Sequence, residues 1–130
     1  MNKKNNGSIL VLDDDFDINN LLKISLGRQG YNVFAFTDPL LALEHFKINH
    51  STYSLVISDF RMQVMSGFEF LHNIKLIKSK IIVLMMSAFD IATGDEFTNY
   101  SKNYVIDGFI QKQITMKDLD SIVKSHIKVK

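Results

Sequence analysis

The sequence has no cysteine in its 130 residues. Disulfides, thiolate metal sites and cysteine nucleophiles are therefore excluded. It also lacks an excess of either charge: 15 Lys and Arg face 14 Asp and Glu, for a net charge of +1. Nothing in that balance suggests a nucleic-acid footprint or a membrane-surface protein. Long apolar runs are missing too. The run at residues 9–12 is far too short for a signal-peptide core or a membrane-spanning helix, so a cytoplasmic location is expected. Proline occurs once, at Pro39.

What is present is one domain's worth of chain. It is 46% hydrophobic, enough for one proper core, with no room for a second domain of ordinary size. Residues 1–7 are expected to form a disordered tail and residues 8–130 the folded domain. Short apolar runs alternate with longer amphipathic stretches. Residues 8–12, 31–36, 55–58, 81–86 and 108–111 read as strands. Residues 16–26, 39–46, 66–77, 90–103 and 115–127 read as helices, the fourth with a thin apolar stripe. Gly27 and Gly30 end the first helix, and Asp38 caps the second with Pro39 in its first turn. On the last helix, Met116, Leu119, Ile122, Val123 and Ile127 are expected to face inward. The first, third and fourth strands are apolar without alternation, which fits strands covered on both faces. The class is therefore α/β, with a doubly wound parallel sheet and helices on both faces.

In open sheets of this kind, ligand sites lie at the carboxyl ends of the strands. Asp13 and Asp14 follow the first strand, Asp59 the third, Ser87 the fourth and Lys112 the fifth. Taken singly each has an ordinary explanation: a helix cap, a turn residue, a solvated lysine. Jointly they place three carboxylates, a hydroxyl and an ammonium on one edge. Converging carboxylates raise one another's pKa unless a cation joins them. Hard oxygen ligands favour Mg²⁺. The set suits phosphoryl transfer to a carboxylate, stabilised by a metal and a lysine.

Four segments carry a resemblance: ILVLDDDFDI at 9–18, VISDFRM at 56–62 with Gly67 beyond it, MSA at 86–88, and GFIQK at 108–112. In this order they resemble the receiver domains of two-component response regulators, the CheY-like superfamily, over about residues 8–127. The resemblance implies a flavodoxin-like (βα)5 fold with strand order 2-1-3-4-5. It implies Asp59 as phosphoacceptor and Mg²⁺ held by Asp13, Asp14, Asp59 and the backbone carbonyl of Arg61. Ser87 would hydrogen-bond the phosphoryl group, Lys112 would pair with it, and Phe109 would be the aromatic switch. The phosphodonor would be a sensor histidine kinase or a phosphotransfer protein. Output would run to a downstream protein or a homodimer through the face made by helix 90–103, strand 108–111 and helix 115–127. Lys117, Lys124, His126, Lys128 and Lys130 crowd that last helix, as a solvated basic face or as a dock for an acidic partner. No catalysis beyond the chain's own phosphorylation and dephosphorylation is implied.

The chain departs from the family pattern at two proline positions, now Gln63 and Gln113. A cis bond before a non-proline costs about 2.5–4 kcal/mol, so the Lys112–Gln113 peptide is open between cis and trans. The lost prolines are the support for a phospho-independent pseudo-receiver that only binds partners. A phosphatase of the haloacid-dehalogenase type would use Asp13 as nucleophile, but Asp17 stands where that pattern wants Thr or Val. A calcium loop built on Asp13, Asp15 and Asp17 fails at Ile18 and Ile24, where it needs Gly and Glu. A flavodoxin-type cofactor binder would need a hydroxyl- and glycine-rich loop where this chain is acidic.

Arg61 and Phe89 occupy positions that, by the resemblance, tune dephosphorylation. A bulky Phe89 beside the phosphoryl group would hinder the attacking water. Autodephosphorylation is expected to be slow, and following the phosphorylated mass with time checks this. Decay within seconds would contradict it.

Overall fold

The computed structural model describes residues 7–62, 64–87 and 105–127. Five strands form one parallel sheet in the order β2-β1-β3-β4-β5. They are β1 (Ser8–Leu12), β2 (Asn32–Phe36), β3 (Tyr53–Asp59), β4 (Ile82–Ser87) and β5 (Gly108–Gln111). Helices α1 (Phe16–Gly27), α2 (Pro39–Asn49) and α3 (Gly67–Ile77) connect them, and α4 (Met116–His126) follows β5. The expected fold class and strand order are those observed. The helix expected over 90–103, and with it part of the expected output face, lies outside the described residues, as do residues 1–6, Gln63, Phe89, Lys128 and Lys130.

The pleat sends alternate residues of each strand to opposite faces. On one face Leu10, Leu12, Val56, Val83 and Met85 pack against Ala42 and Phe46 of α2 and Phe68, Leu71 and Ile74 of α3. On the other, Ile9, Val11, Leu55, Ile57, Leu84 and Met86 meet Leu22 and Leu26 of α1 and Leu119 and Val123 of α4. Two covered faces explain why β1 and β3 read as continuous apolar runs. All five residues of β1 are buried.

Local chemistry sets the helix ends. Asp15 caps α1 by accepting the N–H groups of Asp17 and Ile18, and Gly30 takes a φ of +97° after it. Asp38 caps α2 by accepting the Leu40 N–H. Ser66 and Glu69 form a reciprocal capping box at α3. Thr115 accepts the Asp118 N–H at α4. Two boundaries differ from the sequence reading by more than one residue. Helix α2 runs on to Asn49 and β3 begins at Tyr53. One orientation is corrected: Met116 is 44% exposed, because it lies in the first turn of α4, before the buried stripe of Leu119 and Val123 begins.

Gly67 starts α3 where it touches β3. Its N–H donates to the Phe60 carbonyl at 2.9 Å. A Cβ there would stand 2.1 Å from the Asp59 carbonyl oxygen and 2.8 Å from the Met85 sulfur. Backbone cannot yield at that distance without moving the strand end. Gly67→Ala is expected to cost about 1–3 kcal/mol, checked by urea unfolding. An unchanged midpoint would show that α3 slides without strain.

Candidate functional site

Strands β1 and β3 end side by side, with Leu12 opposite Ser58. Asp13 and Asp59 therefore emerge together at the carboxyl edge of the sheet. Asp13 is fully buried, Asp59 nearly so, and Asp14 is exposed. The three carboxylates each offer an oxygen within 4.8 Å of the others.

Each adjacent acid has a separate job. Asp15 caps α1. Asp13 Oδ1 accepts the Asp15 N–H at 2.9 Å, which fixes its carboxylate. Its backbone is held too. The Asp13 N–H donates to the Phe36 carbonyl at 3.1 Å, and the Asn19 amide donates to the carbonyls of Asp13 and Phe36, both at 2.8 Å. Asn19 thus ties α1 to the ends of β1 and β2. The sequence reading missed it. The signal was there: a polar residue at i, i+3, i+7 spacing with the buried Leu22 and Leu26.

The cation comes from β5. Lys112 Nζ lies 3.0 Å from Asp13 Oδ2 and 3.0 Å from Asp59 Oδ1. The Lys112 N–H donates to the Ser87 carbonyl at 2.7 Å, so β4 and β5 finish together at the site edge. Ser87 is buried there. The Lys112–Gln113 peptide is trans, and Gln113 takes a φ of +72°. The expected set is therefore brought to one edge: Asp13, Asp14, Asp59 and Lys112 in mutual reach, with Ser87 at the adjoining strand end. Arg61 is exposed just past β3, with its guanidinium 5.2 Å from the centre of the Phe60 ring. Phe109 lies two residues before Gln111 on β5, 39% exposed.

Burial and crowding shape the charges. Burial chiefly, then the Asp13 charge, push the Asp59 carboxyl up to about 6, against the pull of Lys112. Asp13 is also raised, by burial and by Asp14, although the Asp15 N–H and Lys112 act against it. Burial disfavours the Lys112 ammonium, but the bonds and charges of Asp13 and Asp59 outweigh it and hold its pKa above the ordinary value. The site without a metal is short of positive charge. Three hard oxygen donors at this spacing fit a small divalent cation such as Mg²⁺.

The profile of the response regulator receiver domain matches residues 9–124. The chain belongs to this family. Among curated relatives it is 40% identical over 81 residues to the transcriptional regulatory protein ZraR of Klebsiella oxytoca, covering 62% of this chain and 18% of that protein. It is 32% identical over 84 residues to sporulation initiation phosphotransferase F of Bacillus subtilis, covering 65% of this chain and 66% of that one. The match thus spans less than a fifth of ZraR. A receiver domain structure from Clostridium thermocellum superposes with a TM-score of 0.81 at 26% identity, over 93% of this chain and 94% of that one. Membership in the family removes the phosphatase with Asp13 as nucleophile. No helix among the described residues is long and apolar enough to cross a membrane.

The raised carboxyl at Asp59 has a stability consequence. In the unfolded chain Asp59 titrates near 3.8, in the folded site near 6. Well below 3.8 both states are protonated and the proton costs nothing. As pH rises from about 4 to about 6 the unfolded state releases it first, and stability is lost. Asp59→Asn removes that loss. In EDTA at pH 7.5 the variant is expected to be more stable than the wild type by about 1–3 kcal/mol, at about 1.4 kcal/mol per pH unit, with the gain gone by about pH 4. Urea unfolding at both values checks it; a gain that does not depend on pH would contradict it.

Proposed function

We propose that the chain is a phosphorylation-activated switch, taking a phosphoryl group onto Asp59 from a histidine kinase or phosphotransfer protein with Mg²⁺ bound at Asp13, Asp14, Asp59 and the Arg61 carbonyl. The observation that carries this is the Lys112 ammonium at 3.0 Å from both Asp13 and Asp59, inside a cluster of three carboxylates. A lysine so placed stabilises charge on a group transferring to Asp59. Bound Mg²⁺ would neutralise further charge on the phosphoryl oxygens.

Asp59 attacks as the carboxylate. Its oxygen bonds to phosphorus while the phosphorus–nitrogen bond to the donor imidazole breaks, and the imidazole leaves with the electron pair. Asp13 and Asp14 would hold the cation beside it. Lys112 turns from the Asp59 carboxylate to the phosphoryl oxygens, and the Ser87 hydroxyl donates to another. Each such charge-assisted bond contributes about 1.5–3 kcal/mol. Two give about 3–6 kcal/mol, against about 5.5 kcal/mol needed to move a two-state equilibrium from 1:99 to 99:1. Only the upper end of that range, taken as if the two bonds were independent, reaches this requirement.

The donor has an approach. A cleft of about 480 Å³ opens beside Lys112, lined by Asp15, Ile18, Leu21, Leu22 and Ile114 among others. Leu21 of α1 is also exposed, as are its neighbours Phe16 and Ile24 on the same helix. These apolar side chains support docking of the phosphodonor along α1. Output would pass through β5, with the half-exposed Phe109, and α4, whose Lys117 and Lys124 are exposed.

Acetyl phosphate with Mg²⁺ tests the proposal by intact mass. The wild type is expected to gain one phosphoryl group, and Asp59→Asn or EDTA treatment to abolish the gain. No gain in the wild type would favour a phospho-independent binding module instead.

A further inference from the structure

Gln113 is the one non-glycine residue with a positive φ among the described residues, at +72°. Left-handed backbone is unfavourable for a residue with a Cβ, and it persists only where the surroundings fix it. Here they do so from both sides. Upstream, the Lys112 N–H is bonded to the Ser87 carbonyl at 2.7 Å as the last rung between β4 and β5. Downstream, Ile114 packs against the core cluster that holds Leu22, Leu119 and Val123, and Thr115 caps α4. Gln113 alone spans the gap between these anchors.

The side chain of Lys112 has little slack. Its strand is separated from β3 by β4, and from β1 by β4 and β3. At about 4.8 Å per strand, that is about 10 Å to Asp59's strand and about 14 Å to Asp13's. A lysine stem that meets both carboxylates at 3.0 Å is near full stretch, so a small rotation of its backbone loses both.

We propose that Gln113 is a positioning residue: its left-handed backbone, joined by a trans peptide, aims the Lys112 ammonium across the sheet edge at Asp13 and Asp59. What acts is the backbone conformation, and the amide side chain is dispensable. The proposal rests on the phosphoryl-transfer function given above for its catalytic consequence, but the placement of Lys112 is testable without it. Lys112 competes with a metal for Asp13 and Asp59. A change that swings it away slows phosphorylation and leaves Mg²⁺ affinity equal or tighter, whereas a change that merely loosens the site loses both.

Gln113→Gly and Gln113→Asn tolerate a positive φ; Gln113→Val, β-branched, does not. Lys112→Ala supplies the signature of a lysine removed. Initial rates with acetyl phosphate are read by intact mass, Mg²⁺ affinity by calorimetry and folding by circular dichroism. The Gly and Asn variants are expected to stay within about twofold of the wild type. The Val variant is expected to fall by on the order of tenfold to a hundredfold in rate, as for a misplaced catalytic group, with Mg²⁺ bound no more weakly. Should Val not fold, Gln113→Thr is the milder β-branched change. A β-branched variant that matches the wild type overturns the proposal, and so do Gly and Asn variants that fall as far as Val. If the wild type takes up no phosphoryl group, the proposed function fails and the Mg²⁺ arm alone decides whether Gln113 aims Lys112.

Discussion

The ion pairs that Lys112 makes with Asp13 and Asp59 are the interaction on which the functional edge depends. Two like charges 4 Å apart repel by about 4 kcal/mol at an effective dielectric of 20. Three carboxylates within 4.8 Å would push apart the strand ends that carry them. A single ammonium placed between two of them offsets most of that, and its own charge is held by the same contacts. Burial chiefly, and then the remaining crowding of charge, hold the carboxyls of Asp13 and Asp59 above their ordinary values. Nearby structure serves the same end. The Asn19 amide fixes the carbonyls at the ends of β1 and β2, the Asp15 N–H orients Asp13, and Gly67 lets α3 close against Asp59 without a Cβ in the way.

The parts of this that could be read from the sequence are those governed by chain order. A parallel sheet covered on both faces needs strands apolar at every position, and β1 and β3 satisfy that without any knowledge of partners. Strand ends point one way in such a sheet, so Asp13, Asp59, Ser87 and Lys112 fall on one edge once the strands are found. The helices at 39–49 and 116–126 were harder for opposite reasons. Helix α2 is apolar nearly all round, with Leu41 and Ile48 exposed and Ala42 and Phe46 buried, so its pattern conceals the inward face and the continuation to Asn49. Met116 is apolar but sits in the cap turn of α4, where hydrophobicity says nothing of direction.

What could not be read is set by contacts between residues far apart in sequence. Asn19 looks like one more polar residue on a surface helix until its amide is seen between two strand ends. Gly67 carries part of the resemblance and falls inside the helix read over 66–77, whereas its constraint comes from the Asp59 carbonyl across the chain. The local sequence offers no proline to settle the peptide after Lys112 as cis or trans. The anchors at Ser87, Ile114 and Thr115 admit a trans bond when Gln113 goes left-handed. Local propensity disfavours that conformation, and tertiary restraint overrides it.

The same resting ion pairs bear on how the proposed switch is driven. Lys112 is not a free cation awaiting a phosphoryl group; it already holds two carboxylates. On the proposed phosphorylation it would exchange the single charge of Asp59 for a phosphoryl group carrying nearly two. Its contribution is therefore the difference between two ion pairs, smaller than the full charge-assisted bond. Asp13, losing part of its share of the ammonium, would gain from a divalent cation alongside. The free energy for the proposed conformational change would then fall more heavily on the hydroxyl of Ser87, at the buried end of β4, whose backbone carbonyl also holds Lys112 in place. A movement of Ser87 toward the phosphoryl group would pull on the very rung that positions Lys112, so the two contacts are coupled and their energies cannot be summed as if independent.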